Sequence, residues 1–368
     1  MSIAAADVAI IGGGIVGAAC ARALASEKLR VVLIEGGDLG GGATAAGMGH
    51  IVAMDDSEAQ FALTSYSARQ WELLRPALPD SVEYEARGTV WVAADDQEMD
   101  VVRSKHAFYT SRGVDAEILD EAGLREAEPQ LRDGLAGALL VPADSVIYSP
   151  CAAHWLAEKA RASGAWIRQG IEVMAVEPGL VKLTDGSTIS CGSVLIAAGA
   201  ASTRFLPDLP VRPRKGHLAI TDRYPGFLRH QLVELGYLKS AHGHSNESVA
   251  FNVQPRSTGQ ILIGSSRQYD SLDSHIDPPL LARMLRRAFA YLPGLADLSV
   301  IRTWTGFRAA TPDSLPVIGP VSNKLWVAAG HEGLGITTSL GTAALIAAQM
   351  LGHEPPIAAG PYLPSRFT

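Results

Sequence analysis

The sequence predicts an α/β fold: a parallel sheet covered by helices on both faces, interrupted by an inserted mixed-sheet domain of α+β character. Three observations carry that expectation. Residues 8–11 form an apolar run that stops at Gly12, Gly13 and Gly14, residues 15–29 carry apolar side chains at helical spacing, and residues 31–34 return to a β-branched run. Strand, turn, helix and strand in that order, with strands apolar on both sides, mark a buried parallel sheet. Two further apolar runs, 194–199 and 325–329, also end at a glycine, while residues 211–301 between them change to a strand pattern with one helix. A chain of 368 residues is, besides, longer than one core ordinarily serves.

Taken in order, the opening βαβ unit is followed by a second glycine-rich stretch, 36–49, and by a helix over 59–74 that stops before Pro76. Residues 87–92 read as the first strand of a different sheet. A helix over 151–164 leads to strands at 171–176 and 180–189, the latter broken by the Asp185-Gly186 turn, and then to the buried run 194–199. Strands at 249–253 and 260–264 and a helix over 279–292 belong to the inserted part. The chain returns with a strand at 325–329, a loop over 330–335 and a helix over 336–351. The expected division is therefore 1–85, 151–210 and 306–368 in one domain, with 86–150 and 211–305 in the other.

Composition narrows the function. Charged residues are 19% of the chain, below the roughly 25% usual for soluble domains, which favours a well-buried enzyme over a solvated linker. The net charge is -7 with no Lys/Arg stripe, so no electrostatic footprint for nucleic acid exists. Cys20, Cys151 and Cys191 are widely spaced with no C-x-x-C pair, giving no metal or iron–sulfur site and suiting a reducing compartment. Residues 1–11 lack a basic segment and are interrupted by Asp7, so they read as a strand and not a leader. No run approaches the roughly 18–20 apolar residues that span a bilayer. A cytoplasmic protein is expected.

Gly12-x-Gly14-x-x-Gly17 follows a strand and opens a helix, and Glu35 closes the next strand. In that setting Gly12 permits a tight turn, Gly14 lets the backbone approach a pyrophosphate, and Gly17 lets helix and strand pack closely. The helix N-terminus offers unpaired N–H groups to phosphate, and Glu35 suits the ribose hydroxyls. A merely tight βαβ turn is the alternative. An acid there serves NAD and FAD alike, so later segments must decide. The second cradle, residues 40–49, stands where NAD enzymes proceed to another helix, and residues 330–336 put a third glycine-rich loop at a helix N-terminus. Such a helix end suits negative charge near flavin N1, which points to FAD.

At these segments the chain resembles the superfamily of FAD-dependent oxidoreductases that includes glycine oxidase, D-amino-acid oxidase and sarcosine oxidase. The resemblance spans nearly the whole chain. It rests on the fingerprint with Glu35, on Ala45-Ala46-Gly47-Met48, on Ala197-Ala198-Gly199, on Pro255-Arg256 followed by Gly264, on Gly306-Phe307-Arg308 before Thr311-Pro312-Asp313, and on residues 330–336. It implies a Rossmann-like FAD-binding domain with an inserted mixed-sheet substrate domain. It also implies that Ile15, Val16, Glu35, Gly36, Ala43, Thr44, Ala46, Gly47 and Met48 line FAD, with Val173 near adenine. Gly199 joins the cofactor set, and Gly330, Gly333, Leu334, Gly335, Ile336 and Thr337 fall beside the flavin ring. Two departures matter. Gly306 stands where sarcosine-oxidase relatives carry the cysteine that holds FAD, which implies non-covalent FAD; Gly333 stands where glycine oxidase has an arginine, which removes one glycine contact.

An amino acid held for oxidation needs a fixed carboxylate, and a guanidinium fork suits that geometry. The residues alone leave Arg308 as an anchor or a structural ion pair; the resemblance selects the anchor. It implies hydride transfer from Cα of a small amino or imino acid to flavin N5, giving an imine. His331 and Glu332 either orient the substrate and tune the flavin, or His331 caps the helix. His50, His217, His242, His244 and Tyr237 are candidates by residue type only. Within the superfamily, residues 330–338 with Gly264-Ser265-Ser266-Arg267 resemble the FAD subunits of bacterial D-hydroxyproline dehydrogenases and of opine and dye-linked proline dehydrogenases. That resemblance implies cis-4-hydroxy-D-proline as substrate and small iron–sulfur or flavin partner subunits, with direct reaction with oxygen also open. Other D-amino acids, sarcosine, proline and opines remain open, as do an NAD-linked dehydrogenase and a non-catalytic FAD-binding assembly subunit.

Overall fold

The computed structural model describes residues 5–236, 247–269 and 271–367. Tyr237, His242 and His244 lie outside the described residues. The chain divides into two compact units: Met1–Tyr84, Ile147–Pro213 and Phe307–Thr368 form one, and Glu85–Val146 with Arg214–Gly306 form the other.

In the first unit the sheet runs in the order Val317–Ser322, Leu325–Ala329, Thr188–Ile196, Ala5–Ile11, Val31–Glu35, Trp166–Gln169. The four strands from Leu325–Ala329 to Val31–Glu35 are mutually parallel, with Val8 opposite Val31 and Ser193. Strand alternation sends Val8, Ile10, Val31 and Leu33 into one core and Ala9, Ile11, Val32 and Ile34 into another, so both faces are covered. Each fully buried aliphatic side chain contributes about 1.5–3 kcal/mol relative to exposure. The first helix, Ile15–Ser26, packs against Ser149–Ala162 and against the returning helix Gly335–Leu351. Its alanines and Gly17 permit the close approach. The α/β, Rossmann-like expectation is met.

Some element ends differ from the sequence reading. The first helix stops at Ser26 instead of running to 29, because Glu27 caps it and Lys28 turns out of it at φ +66°. The runs 188–189 and 194–196 are one strand, Thr188–Ile196. Its first half alternates exposed polar with buried residues, which hides it from a search for continuous apolar runs.

The second unit holds an eight-stranded mixed sheet in the order Val300–Ala310, Arg212–Thr221, Ile261–Gln268, Glu247–Pro255, Gln231–Glu234, Thr89–Ala93, Gly137–Val141, Glu117–Asp120. The helix Pro278–Tyr291 covers one face, where Met284, Ala288 and Tyr291 meet Val90, Leu232, Phe251 and Val253. Phe251 and Tyr291 stack with ring centroids 4.5 Å apart. Asp277 caps that helix by accepting the Leu280 N–H at 3.0 Å, and its own N–H donates to His217 Nε2 at 3.0 Å. His217 is fully buried, with Nδ1 2.9 Å from Ser266 Oγ. Both ring nitrogens thus serve the fold of this unit.

Candidate functional site

Close approach is built into the turn after the first strand. Gly12 holds φ +106°, and a Cβ on it would lie 2.5 Å from the Ala197 carbonyl oxygen; a Cβ on Gly17 would lie 1.9 Å from the Gly12 carbonyl oxygen. No side chain fits either place, so the helix starts hard against the strand ends. Gly14 heads the helix without a side-chain cap, and no acid occupies its first turn. The Ile15 N–H donates to Thr44 Oγ1 at 3.0 Å, and Val16 follows it half-buried. A helix end with few internal acceptors and a positive dipole suits a pyrophosphate.

Glu35 ties this turn to the next loop. Its Oε2 accepts the Gly13 N–H at 2.6 Å and its Oε1 accepts the Gly37 N–H at 2.8 Å, while the Gly40 N–H donates to the Gly13 carbonyl at 2.8 Å. Gly36 lies against Glu172, whose Cγ would be 2.9 Å from an added Cβ. The Ile171 N–H reaches the Glu35 carbonyl at 3.2 Å, which brings the start of Val173–Glu177 to the same loop. The Val173 side chain is buried in the core, leaving its backbone as the part that can meet a ligand.

The second cradle contains the short helix Gly42–Ala46, which carries Ala43, Thr44 and Ala46. Gly42 has φ +55° and nothing within 4 Å of a Cβ position, and the same is true of Gly199 at φ +55°. These are open places beside an otherwise close-packed loop set. The Thr44 carbonyl accepts Ser149 Oγ at 2.7 Å, and Met48 is buried. Gly47 meets the returning helix: a Cβ on it would lie 2.9 Å from Ile336 Cδ1.

The return loop begins at Gly330, with φ +78° and Thr311 Cγ2 only 2.5 Å from a Cβ position. The helix Gly335–Leu351 follows, preceded by Leu334, again with no side-chain cap and no acid in its first turn. Thr337 donates to the His50 carbonyl at 2.9 Å and accepts the Val52 N–H at 3.3 Å, and Trp71 Nε1 donates to the Ile336 carbonyl at 3.2 Å. The start of this helix is therefore fixed by two separate segments, residues 50–52 and the helix Glu58–Leu74. His331 is buried, its Nε2 is 3.0 Å from Thr342 Oγ1, and burial pushes its pKa down to about 4. No side chain caps this helix, and the His331 ring meets Thr342 within it, so His331 braces the helix body and is not its cap. The Glu332 N–H donates to the Ala309 carbonyl at 2.9 Å, a bridge that holds the half-buried Arg308 beside the loop. Gly333 is exposed, and a Cβ on it would lie 3.7 Å from Arg308 Nε.

Two uncapped helix N-termini, cradles that exclude side chains and the open places at Gly42 and Gly199 fit an extended dinucleotide. Glu172 and Ser149 belong to the same loop cluster but escape sequence reasoning. Each acts through a contact far along the chain, and no local spacing announces it. Among the described residues, no group of three or more His, Cys, Asp or Glu could hold a metal ion, and no helix is long and apolar enough to cross a membrane.

The profile of the DAO family, described as FAD dependent oxidoreductase, matches residues 7–349. The chain belongs to this family. It is similar to a glycine oxidase of Geobacillus kaustophilus, 30% identical over 359 residues that cover 93% of this chain and 92% of the relative. It is also similar to an opine oxidase subunit of Rhizobium meliloti, 27% identical over 329 residues, 84% of each chain. The crystal structure of the Geobacillus kaustophilus glycine oxidase superimposes with a TM-score of 0.89 at 27% identity, covering 99% of both chains. The DAO-family chain is an FAD-dependent oxidoreductase.

Proposed function

We propose that this DAO-family enzyme oxidises the C–N bond of a small amino or imino acid whose carboxylate is held by Arg308, with cis-4-hydroxy-D-proline as the substrate. The observation that carries this reading is the pairing of Arg308 with Gly333: a half-buried guanidinium beside a loop position that has no side chain. A guanidinium fork can take a carboxylate in a bidentate manner, and the bare Gly333 leaves room for a ring at Cα. Bound FAD would supply the two-electron acceptor for the hydride from Cα, with the nitrogen losing its proton and the substrate left as an imine. The first cradle, with Gly12, Gly14, Ile15, Gly17 and Glu35, would hold the pyrophosphate and ribose. The residues at 43–48 and 330–337 would hold the isoalloxazine end.

The cofactor is held without a covalent bond, since Gly306 offers no thiol, so acid precipitation releases the colour into the supernatant. Electrons leave through a small iron–sulfur or flavin partner subunit. This goes with the likeness to a protein named as part of an opine oxidase and with three unpaired cysteines too few for a cluster. A cytoplasmic location goes with the same free thiols.

The deciding experiment is anaerobic flavin reduction by cis-4-hydroxy-D-proline and by 3-hydroxypyrrolidine, which lacks the carboxylate, in wild type, Arg308→Lys and Arg308→Ala. The amino acid should lose about 2–5 kcal/mol of transition-state stabilisation in Arg308→Ala. The amine should lose little. Equal losses for both would mean that Arg308 supports the fold and does not read the substrate. A yellow protein that no amine reduces would identify an assembly subunit instead.

A further inference from the structure

Arg22 lies in the second half of the first helix, away from the phosphate turn at its N-terminus. It lines a cavity of about 160 Å³, partly open to solvent, formed with the helices Glu58–Leu74 and Gly335–Leu351. Ala23 and Ala344 face this space across two helices and open it by their small size, and Leu73 at its edge is largely exposed. Tyr66 and Gln70 supply the other polar groups.

The charge there is uncompensated. Arg22 has no carboxylate partner among the described residues, and burial alone moves its pKa, downward. Burial raises the Tyr66 pKa, and the charge of the nearby Arg69 guanidinium acts in the opposite sense. A partly desolvated guanidinium without a counter-ion is unfavourable, and an anion that reaches it removes that penalty. An apolar cavity of about 150 Å³ is large enough for benzene. The space beside Arg22 therefore accepts a ring-sized body as well as a charge. The net charge of -7 gives no general attraction for anions, so binding here would be a property of the pocket.

We propose that this pocket is a second ligand site, which binds a small monocarboxylate with a single ring or a short branched chain. The carboxylate pairs with Arg22, with O–H and N–H donors from Tyr66 and Gln70, and the apolar body rests on Ala23 and Ala344. The site is separate from Arg308 and does not depend on the substrate assignment.

The test uses 4-fluorobenzoate and fluorine NMR on the FAD-loaded enzyme. Arg22→Gln keeps the cavity and removes the charge, while Ala344→Leu keeps the charge and fills the cavity. Each should weaken one bound signal at least tenfold, and Arg308→Gln should leave that signal in place. Agreement of the two variants, at unchanged FAD content and melting temperature, separates occupancy of the pocket from damage to the fold. The proposal is overturned if wild type shows no bound signal at millimolar ligand, if the signal survives both variants, or if Arg308→Gln alone abolishes it.

Discussion

Glu35 accepts two backbone N–H groups, from Gly13 at 2.6 Å and from Gly37 at 2.8 Å, and so joins the loops on either side of the second strand. The carboxylate therefore holds the shape of the cradle as well as being available to a ribose. Glu35→Ala should weaken FAD binding by about one to two decades, since a charge-assisted hydrogen bond contributes roughly 1.5–3 kcal/mol. Enzyme reloaded at saturating FAD should turn over normally. An unchanged FAD dissociation constant would remove Glu35 from the site.

Gly14 and Gly17 separate the two demands on the first turn. A Cβ on Gly17 would collide with the Gly12 carbonyl oxygen at 1.9 Å, whereas a Cβ on Gly14 would meet only Thr44 Oγ1 at 3.3 Å, at an ordinary φ of -65°. Gly17→Ala should lower the apoprotein melting temperature and FAD retention together. Gly14→Ala should leave the apoprotein melting temperature within about a degree of wild type, a shift expected for a change of a few tenths of a kcal/mol. It should still lose FAD. Calorimetry of apo and FAD-loaded forms checks both, and full FAD affinity in Gly14→Ala would deny the pyrophosphate its place there.

Gly333 needs no unusual backbone conformation, and a Cβ on it would make ordinary contact with Arg308 Nε and Cδ at 3.7 and 3.8 Å. Gly333→Ala should therefore fold and bind FAD like wild type. Gly333→Leu would fill the space alongside Arg308, so KM for a cyclic amino acid should rise at least tenfold, or about 1.4 kcal/mol, with the melting temperature unchanged. Steady-state kinetics with cyclic and acyclic substrates check this. Parallel KM values in wild type and Gly333→Leu would place the substrate ring elsewhere.

His331 couples stability to pH. Its pKa falls from 6.5 to about 4 on folding because burial opposes its charged form. Above pH 6.5 neither state binds the proton. As pH drops from there toward 4, the unfolded chain takes up a proton that the folded chain refuses, so stability is lost across that window, by about 3 kcal/mol at most. Urea unfolding at pH 7.5, 6 and 4.5 should show a steeper loss in wild type than in His331→Gln. Identical slopes would assign the acid sensitivity to other groups.

The sequence made the first unit readable where the pattern is local. The Gly12, Gly14 and Gly17 spacing, the β-branched run before Glu35 and the glycines at 40–49 each lie within one short window. Less is legible in 96–141, which holds the helix Asp96–Thr110 and the strands Glu117–Asp120 and Gly137–Val141. That helix buries only Met99, Val102, Tyr109 and two charged residues, a thin apolar stripe. At the site, the sequence could name Thr44 but not its hydrogen bond to Ile15, and could name His331 but not the Thr342 hydroxyl that holds it. Those relations exist only after distant segments have packed.

The strand order also dictates a schedule for synthesis. Thr188–Ile196 inserts between Ala5–Ile11 and Leu325–Ala329, and the latter with the helix after it closes the nucleotide unit. At ribosomal rates of about 5–20 residues per second, the first βαβ segment waits on the order of 15–60 seconds for its last neighbour. Both segments of the second unit, Glu85–Val146 and Arg214–Gly306, leave the ribosome before that neighbour does. The motif translated first thus belongs to the unit completed last, and a nascent chain halted before Leu325 carries an unsheltered edge of Thr188–Ile196 for chaperones to cover.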